Sequence, residues 1–277
     1  MIMKKNKIAL IYDFDGTLSP LNMQEFGLIQ AFHCNPDVFW SKSNALSDKN
    51  DASEILCYMK TMIDKAKDTG VHLTRENLRQ FGTKVQLYPG VEKWFSIINE
   101  YGRKQGIEIE HYINSSGLTE IIEGTSIYKE FKKVYACSFL YDENGEAEWP
   151  SVAVDYTTKT QFLFKINKGI MSIKDHKLIN KYIPEKQRAM PFKQMIYVGD
   201  GSTDIPCMRL VKQFHGHSIA VYNPNGNEKE MSERLLSERR VHFVCPADYT
   251  EGGPMYKVVT TIIDKIKADL ELDSLKG

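Results

Sequence analysis

Ile8-Ala-Leu-Ile-Tyr-Asp13-Phe-Asp15-Gly-Thr17-Leu18 decides how this chain is read. The apolar run reads as a buried strand, and it stops in two carboxylates one residue apart. In open α/β sheets the carboxyl ends of strands form the edge where ligands bind. Side chains alternate along an extended chain, so Asp13 and Asp15 are free to take different tasks. Asp13 can attack a phosphorus atom, and Asp15 can protonate the leaving oxygen. A turn rich in Asp and Gly after an ordinary strand would look the same over five residues. Three further signals lie downstream.

Working outward, strands alternate with helices. Strands are predicted at Lys7–Asp13, Ile107–Asn114, Gln194–Val198, Ser218–Tyr222 and Val241–Val244. Helices are predicted at Val91–Tyr101, Thr160–Ile166, Asp204–Gln213, Glu228–Ser237 and Met255–Leu270. This order predicts an α/β fold, a Rossmann-like parallel sheet flanked by helices on both faces. Residues 19–87 break the alternation. Ile55, Met59, Met62, Ile63 and Ala66 recur at helical spacing within Ala52–Lys67, and a shorter helix runs from its N-cap Thr74 to Phe81. Residues 19–87 are therefore expected to form an inserted α-helical cap, with 1–18 and 88–277 as a discontinuous core. Such a lid over the sheet edge excludes water and chooses the substrate. Val134–Asp142, Glu143-Asn144-Gly145 and Glu146–Trp149 read as a hairpin.

The second signal is Gly199-Asp200-Gly201-Ser202-Thr203-Asp204. A carboxylate attacking a phosphate dianion meets like charge, which a bridging divalent cation relieves. Magnesium takes oxygen ligands and keeps several waters, so a few carboxylates suffice. Asp200 is expected to bind it directly, with Asp204 holding a water or a neighbour. The third is Ser115-Ser116-Gly117, where a strand is expected to give way to a helix. A serine hydroxyl and the following amides there can hold a phosphate oxygen, as helix N-termini hold anions. Spacing does not separate Ser115 from Ser116. The last is a cation to balance the phosphoryl group. Lys159 opens a helix, where its charge opposes the dipole; Lys165 and Lys168 are the alternatives.

Together, Asp13-Phe-Asp15-Gly-Thr17, Ser115, a lysine and Gly199-Asp200 with Asp204 resemble the phosphatase branch of the haloacid dehalogenase superfamily. The resemblance implies that Asp13 becomes a phosphoaspartate and that Asp15 acts as acid and then base. It also implies that Ser115 and Lys159 hold the phosphoryl group, and that the Asp15 main-chain carbonyl joins Asp13, Asp200 and Asp204 on magnesium. The presence of Asp15 argues against a dehalogenase, which has no alcohol to protonate. The 19–87 insertion resembles the type-one helical cap, and Tyr135–Gly145 resembles the hairpin of phosphoserine-phosphatase-like members. Those enzymes usually carry Ser-Gly-Gly where this chain has Ser115-Ser116-Gly117. Glu25 is displaced from the position of the acid that binds the substrate amine. Arg75 and Arg79 compete for the role of the arginine that binds its carboxylate. Phosphoserine is thus one candidate substrate among small phosphomonoesters.

Bulk properties narrow the alternatives. Lysine plus arginine (36) equals aspartate plus glutamate (36), so the chain lacks the basic footprint of a nucleic-acid binder. Five scattered cysteines fit reduced thiols rather than a disulfide framework or zinc site. No stretch reads as a signal peptide or a membrane span, which gives a soluble cytoplasmic protein as the expectation. The expected partner is a small phosphorylated metabolite, with oligomeric state left open. His215 and His217 read as surface residues of a turn. Phe26, Phe32, Phe39 and Trp40 read as the small core of the cap, and Glu251–Pro254 as a turn at the catalytic edge. A phosphotransferase or mutase would use the same residues, and a non-catalytic regulatory protein would keep the fold without turnover.

Overall fold

The computed structural model describes residues 6–201 and 203–275; the basic run at 1–5 and Ser202 fall outside them. Seven strands form one sheet: β1 (Lys7–Tyr12), β2 (Glu108–Leu118), β3 (Lys133–Tyr141), β4 (Ala147–Val152), β5 (Met195–Gly199), β6 (His217–Tyr222) and β7 (Phe243–Pro246). Their spatial order is β4-β3-β2-β1-β5-β6-β7, so β4 and β7 are the edges. All neighbours are parallel except the β3–β4 hairpin. Its turn is closed by Asp142, whose Oδ1 accepts the amides of Asn144 (2.8 Å) and Glu146 (2.9 Å).

β1 is the central strand, and Ile8, Ala9, Leu10 and Ile11 are all fully buried, so both its faces are covered. That is why it reads as a continuous apolar run without alternation. Eleven helices surround the sheet or connect its strands among the described residues: α1 (Leu28–Ala31), α2 (Pro36–Asn50), α3 (Glu54–Thr69), α4 (Arg75–Gly82), α5 (Val91–Lys104), α6 (Thr119–Glu123), α7 (Thr158–Lys168), α8 (His176–Asn180), α9 (Ile205–Gln213), α10 (Lys229–Ser237) and α11 (Pro254–Ser274). α5 packs beside α11, and α7 beside α9. None of the described helices is long and apolar enough to cross a membrane.

Between β1 and α5 the chain is helical, as expected, but it holds one long helix that apolar spacing does not reveal. α2 starts at Pro36 behind Asn35, whose side chain accepts the Asp37 amide at 2.8 Å. Its buried positions are Phe39, Ser43 and Ser47, at helical spacing but two of them serines. Helices α3 and α4 lie where predicted, capped by Ser53 and Thr74. α4 packs tightly on α6: a Cβ on Gly82 would strike the Ile121 carbonyl, and one on Gly124 the Arg79 carbonyl. Just before α4, Leu73 and Ala147 share a backbone hydrogen bond (3.0 Å), and Glu146 accepts the Leu73 amide (2.9 Å).

A buried polar chain crosses the core behind β1. Trp94 Nε1–H donates to the Tyr12 hydroxyl (2.9 Å), which must then give its own proton to His111 Nδ1 (3.1 Å). His111 Nε2–H is left to donate to Asn99 Oδ1 (3.1 Å). This fixes a neutral imidazole, and burial pushes its pKa down to about 3. Unfolded, the ring takes a proton near its ordinary value of about 6.5. Stability from this group is therefore complete above about pH 6.5 and is lost as pH falls toward 3, by up to about 1.4 kcal/mol per pH unit. Urea unfolding at pH 7.5 and 5.5 should show a decline in the wild type that His111→Gln reduces by about 1 kcal/mol. An identical decline in both would contradict the neutral ring.

Candidate active site

The carboxyl ends of β1, β2 and β5 meet at one edge, because β1 pairs with both β2 and β5. The Asp13 amide still donates to the Val198 carbonyl (2.9 Å), so the residue is held in register as the chain leaves β1. Its Oδ1 accepts the Phe14 amide at 2.7 Å, and its Oδ2 lies 2.9 Å from Lys159 Nζ. Lys159 is fully buried and also reaches Asp204 Oδ1 (2.7 Å) and Thr203 Oγ1 (3.0 Å). Its three N–H bonds thus face three acceptors. Asp204 Oδ1 takes a further bond from the Tyr197 hydroxyl (2.7 Å), whereas its Oδ2 is buried without a partner. Carboxylate oxygens of Asp13, Asp200 and Asp204 lie within 4.8 Å of one another. A Cβ on Gly16 would collide with the Asp200 carboxylate, so glycine there lets the β1 turn sit against it.

Electrostatics follow from this crowding. Burial, and then the Asp204 charge, raise the pKa of Asp13 against the pull of Lys159. Burial and the Asp13 charge hold Asp15 well above the ordinary carboxylate range. Asp200 is raised likewise, by burial first and then by Asp204 and Asp13. Burial alone would lower Lys159, but Asp13 and Asp204 outweigh it and hold the ammonium above its ordinary value. Asp15 stands apart from the triad: its Oδ1 accepts the Met23 amide at 2.8 Å. Asp13 and Asp15 accordingly have different surroundings one residue apart.

The serine loop differs from its sequence reading. β2 runs on to Leu118, and α6 begins only at Thr119, so Ser115, Ser116 and Gly117 do not open a helix. Instead the β2–β3 register shifts between Asn114 and Leu118, and the loop bulges at the sheet edge. Ser115 Oγ accepts the Gly117 amide (3.0 Å) and keeps its own proton to donate. The Ser116 carbonyl accepts the Tyr58 hydroxyl (2.8 Å), which ties α3 to the loop. Behind it, Asn114 Nδ2 donates to the Lys159 carbonyl (3.1 Å).

A cavity of about 290 Å³ opens over this edge, lined by Asp13, Asp15, Ser115, Ser116, Asp200 and Thr203 on one side. Gln24, Trp40, Ser43, Asn44, Glu54 and Tyr58 line the other. Of the aromatics read as cap core, Phe32 and Phe39 stack in the interior, while Trp40 faces the cavity. Lys165 and Lys168 stay outside it; their ammonium groups bond main-chain carbonyls of residues 172–181. Arg75 and Arg79 are paired with Glu123, and Arg75 also lies 3.6 Å from Glu120. Glu25 Oε1 accepts from Trp40 Nε1 (2.8 Å) and Asn22 Nδ2 (2.7 Å). His217 is not at the surface: it starts β6 and is buried. Glu251–Pro254 forms the turn into α11.

Tyr197, Thr203, Tyr58 and Gln24 are the site residues that sequence reasoning passed over. Tyr197 sits in a strand buried throughout, where a tyrosine reads as core. Removing the lysine should expose how much the cluster depends on it. Breaking a buried pair from one side leaves charge uncompensated and typically costs about 3–5 kcal/mol. Lys159→Met should lower unfolding free energy by about 3 kcal/mol in urea at pH 7.5 with chelator present. A loss below about 1 kcal/mol would show that the carboxylates do not need the ammonium.

Residues 8–217 match the family described as Putative Phosphatase. An uncharacterized protein of Borreliella burgdorferi is 30% identical, the alignment covering 91% of this chain and 95% of that protein. A HAD family hydrolase of Salmonella enterica subsp. enterica serovar Typhi superposes with a TM-score of 0.57 at 12% identity, over 92% of this chain and 70% of that one. A substrate-bound phosphoserine phosphatase gives 0.53 at 13% identity, over 87% and 93%. At such identities these structures share the fold. By the extent of the family match the chain belongs to the Putative Phosphatase family, and it shares its fold with a HAD family hydrolase and a phosphoserine phosphatase.

Proposed function

We propose that this phosphatase hydrolyses a small phosphomonoester through a phosphoaspartate on Asp13, with magnesium as cofactor. The observation that carries the reading is the placement of Asp13: one oxygen on the Phe14 amide, the other 2.9 Å from a buried lysine. A nucleophile so held is aligned before substrate arrives, which converts binding into rate. In the first half, an Asp13 oxygen bonds to phosphorus as the bond to the leaving alcohol breaks. Asp15 gives that alcohol its proton. In the second half, Asp15 takes a proton from water as the water oxygen bonds to phosphorus, and the Asp13–phosphorus bond breaks. Ser115 Oγ–H, with its acceptor side already occupied by the Gly117 amide, is free to donate to a phosphoryl oxygen. Ser116 and the Gly117 loop would line the same oxygen, and Lys159 would offset its charge.

The carboxylates fit a hard divalent cation. Three of them converge within 4.8 Å, and Asp204 Oδ2 is a buried acceptor with nothing to accept. Asp13, Asp200 and Asp204, with the Asp15 main-chain oxygen, would hold magnesium, which when bound neutralises charge between the carboxylate and the phosphoryl group. Residues 19–87 would act as the cap on a core of 1–18 and 88–277, excluding water while the phosphoaspartate forms. The five unpaired thiols suit a reducing compartment such as the cytoplasm.

Phosphate release from p-nitrophenyl phosphate should require magnesium, stop with EDTA, and fall at least about 1,000-fold in Asp13→Asn. Turnover in labelled water should place one solvent oxygen in the phosphate. Asp13→Asn retaining more than a tenth of wild-type activity would eliminate the covalent route, and substrate consumed with a new phosphate ester of an added alcohol in place of free phosphate would mark a transferase.

A further inference from the structure

β5 places one tyrosine hydroxyl among the buried carboxylates. Tyr197 is fully buried, and its O–H donates to Asp204 Oδ1 at 2.7 Å. Side chains two residues apart in a strand share a face, so Tyr197 and Gly199 stand on the same side of β5. A Cβ on Gly199 would lie 2.3 Å from Asp204 Oδ2. The Asp204 carboxylate therefore rests on β5, with the tyrosine hydroxyl on one oxygen and the glycine against the other.

Asp204 gives up its ordinary partners to lie there. It is the N-cap of α9, where an aspartate normally accepts the amide of the second or third helical residue. The second is Pro206, which has no amide proton, and the Asp204 side chain makes no capping bond. The carboxylate instead takes two donors on Oδ1, the Tyr197 hydroxyl and Lys159 Nζ, each at 2.7 Å. Lys159 in turn stands 2.9 Å from Asp13 Oδ2. One line of contacts thus runs from Tyr197 through Asp204 and Lys159 to the nucleophile.

A lysine ammonium is a point charge on a flexible four-carbon stem, so its place is set by what surrounds it. Two of the three acceptors around Lys159 are poor anchors during turnover. Thr203 is neutral, and Asp13 loses its carboxylate charge when it bonds to phosphorus. Asp204 is the acceptor that stays the same through both halves of the reaction, and Tyr197 holds its Oδ1 in place. Packing does not account for the hydroxyl, because phenylalanine would fill the same space. Nor does Tyr197 touch substrate, since it is fully buried and does not line the cavity over Asp13. We infer that Tyr197 is a positioning residue, whose hydroxyl fixes Asp204 so that Lys159 stays aimed at Asp13 and the phosphoryl group. This rests on the phosphoaspartate reading given above.

Tyr197→Phe removes the oxygen and keeps the ring. Assayed with p-nitrophenyl phosphate at saturating magnesium, the folded variant should lose at least about tenfold in kcat, with KM within about threefold of wild type. Affinity for orthovanadate, which mimics the phosphoryl group in transit, should also fall at least about tenfold. A purely structural tyrosine would instead lower the urea midpoint and leave kcat per folded molecule unchanged. An unchanged kcat, an unchanged vanadate affinity or a loss confined to KM overturns the inference and spares the phosphatase reading. If Tyr197→Phe does not fold, 3-fluorotyrosine placed at position 197 keeps the hydroxyl and reports by fluorine NMR. Its signal should shift when orthovanadate binds, and a stationary signal with vanadate bound overturns the inference. No hydrolysis of p-nitrophenyl phosphate by the wild type overturns both readings.

Discussion

Everything at the sheet edge depends on one buried ammonium. Lys159 stands between Asp13 and Asp204 with no solvent to share its charge, and three aspartates converge within 4.8 Å. Without it, Asp13 and Asp204 would repel each other in a medium that screens poorly. With it, Asp13 is buried beside an opposite charge that draws its pKa down against the effect of burial. The backbone is arranged to keep the lysine there. α7 begins two residues after Tyr156, the Asn114 side chain holds the Lys159 carbonyl, and Thr203 takes the third N–H.

The helical insertion meets the core in two different ways. Its α3 reaches the serine loop through a single tyrosine hydroxyl, a contact that can break and reform. Its α4 is instead pressed on α6, glycine against backbone, and stitched to the hairpin by the Leu73–Ala147 bond. The segment is thus anchored at its C-terminal end by backbone packing, and over the sheet edge by side-chain contacts and the Met23 amide on Asp15.

Much of this was legible in the sequence. Asp13-Phe-Asp15 marked both the central strand and the site, because a fully buried strand shows itself as an unbroken apolar run. The Asn144-Gly145 turn marked the hairpin, because its geometry demands those residues. α2 was missed for a physical reason: two of its three buried positions are serines, so the helical period carries no apolar signal. The end of β2 was misplaced because Ser-Ser-Gly looks like a helix start, whereas here it is a bulge between paired residues. His217 was read as exposed because polarity alone cannot report that the His242 ring packs beside it, 5.6 Å away, in the folded sheet. Tyr197 could not be singled out, since its bond to Asp204 appears only once the turn between β5 and α9 has folded.

The two outermost strands share a detail with consequences beyond the active site. β4 contains Pro150, and β7 ends in Pro246. A sheet border is a template on which a stray strand from another molecule can condense, and proline interrupts that template by withholding an amide proton. Both borders of this sheet are interrupted in that way. The fold therefore carries its own guard against runaway strand addition, placed as far from the chemistry as the sheet allows.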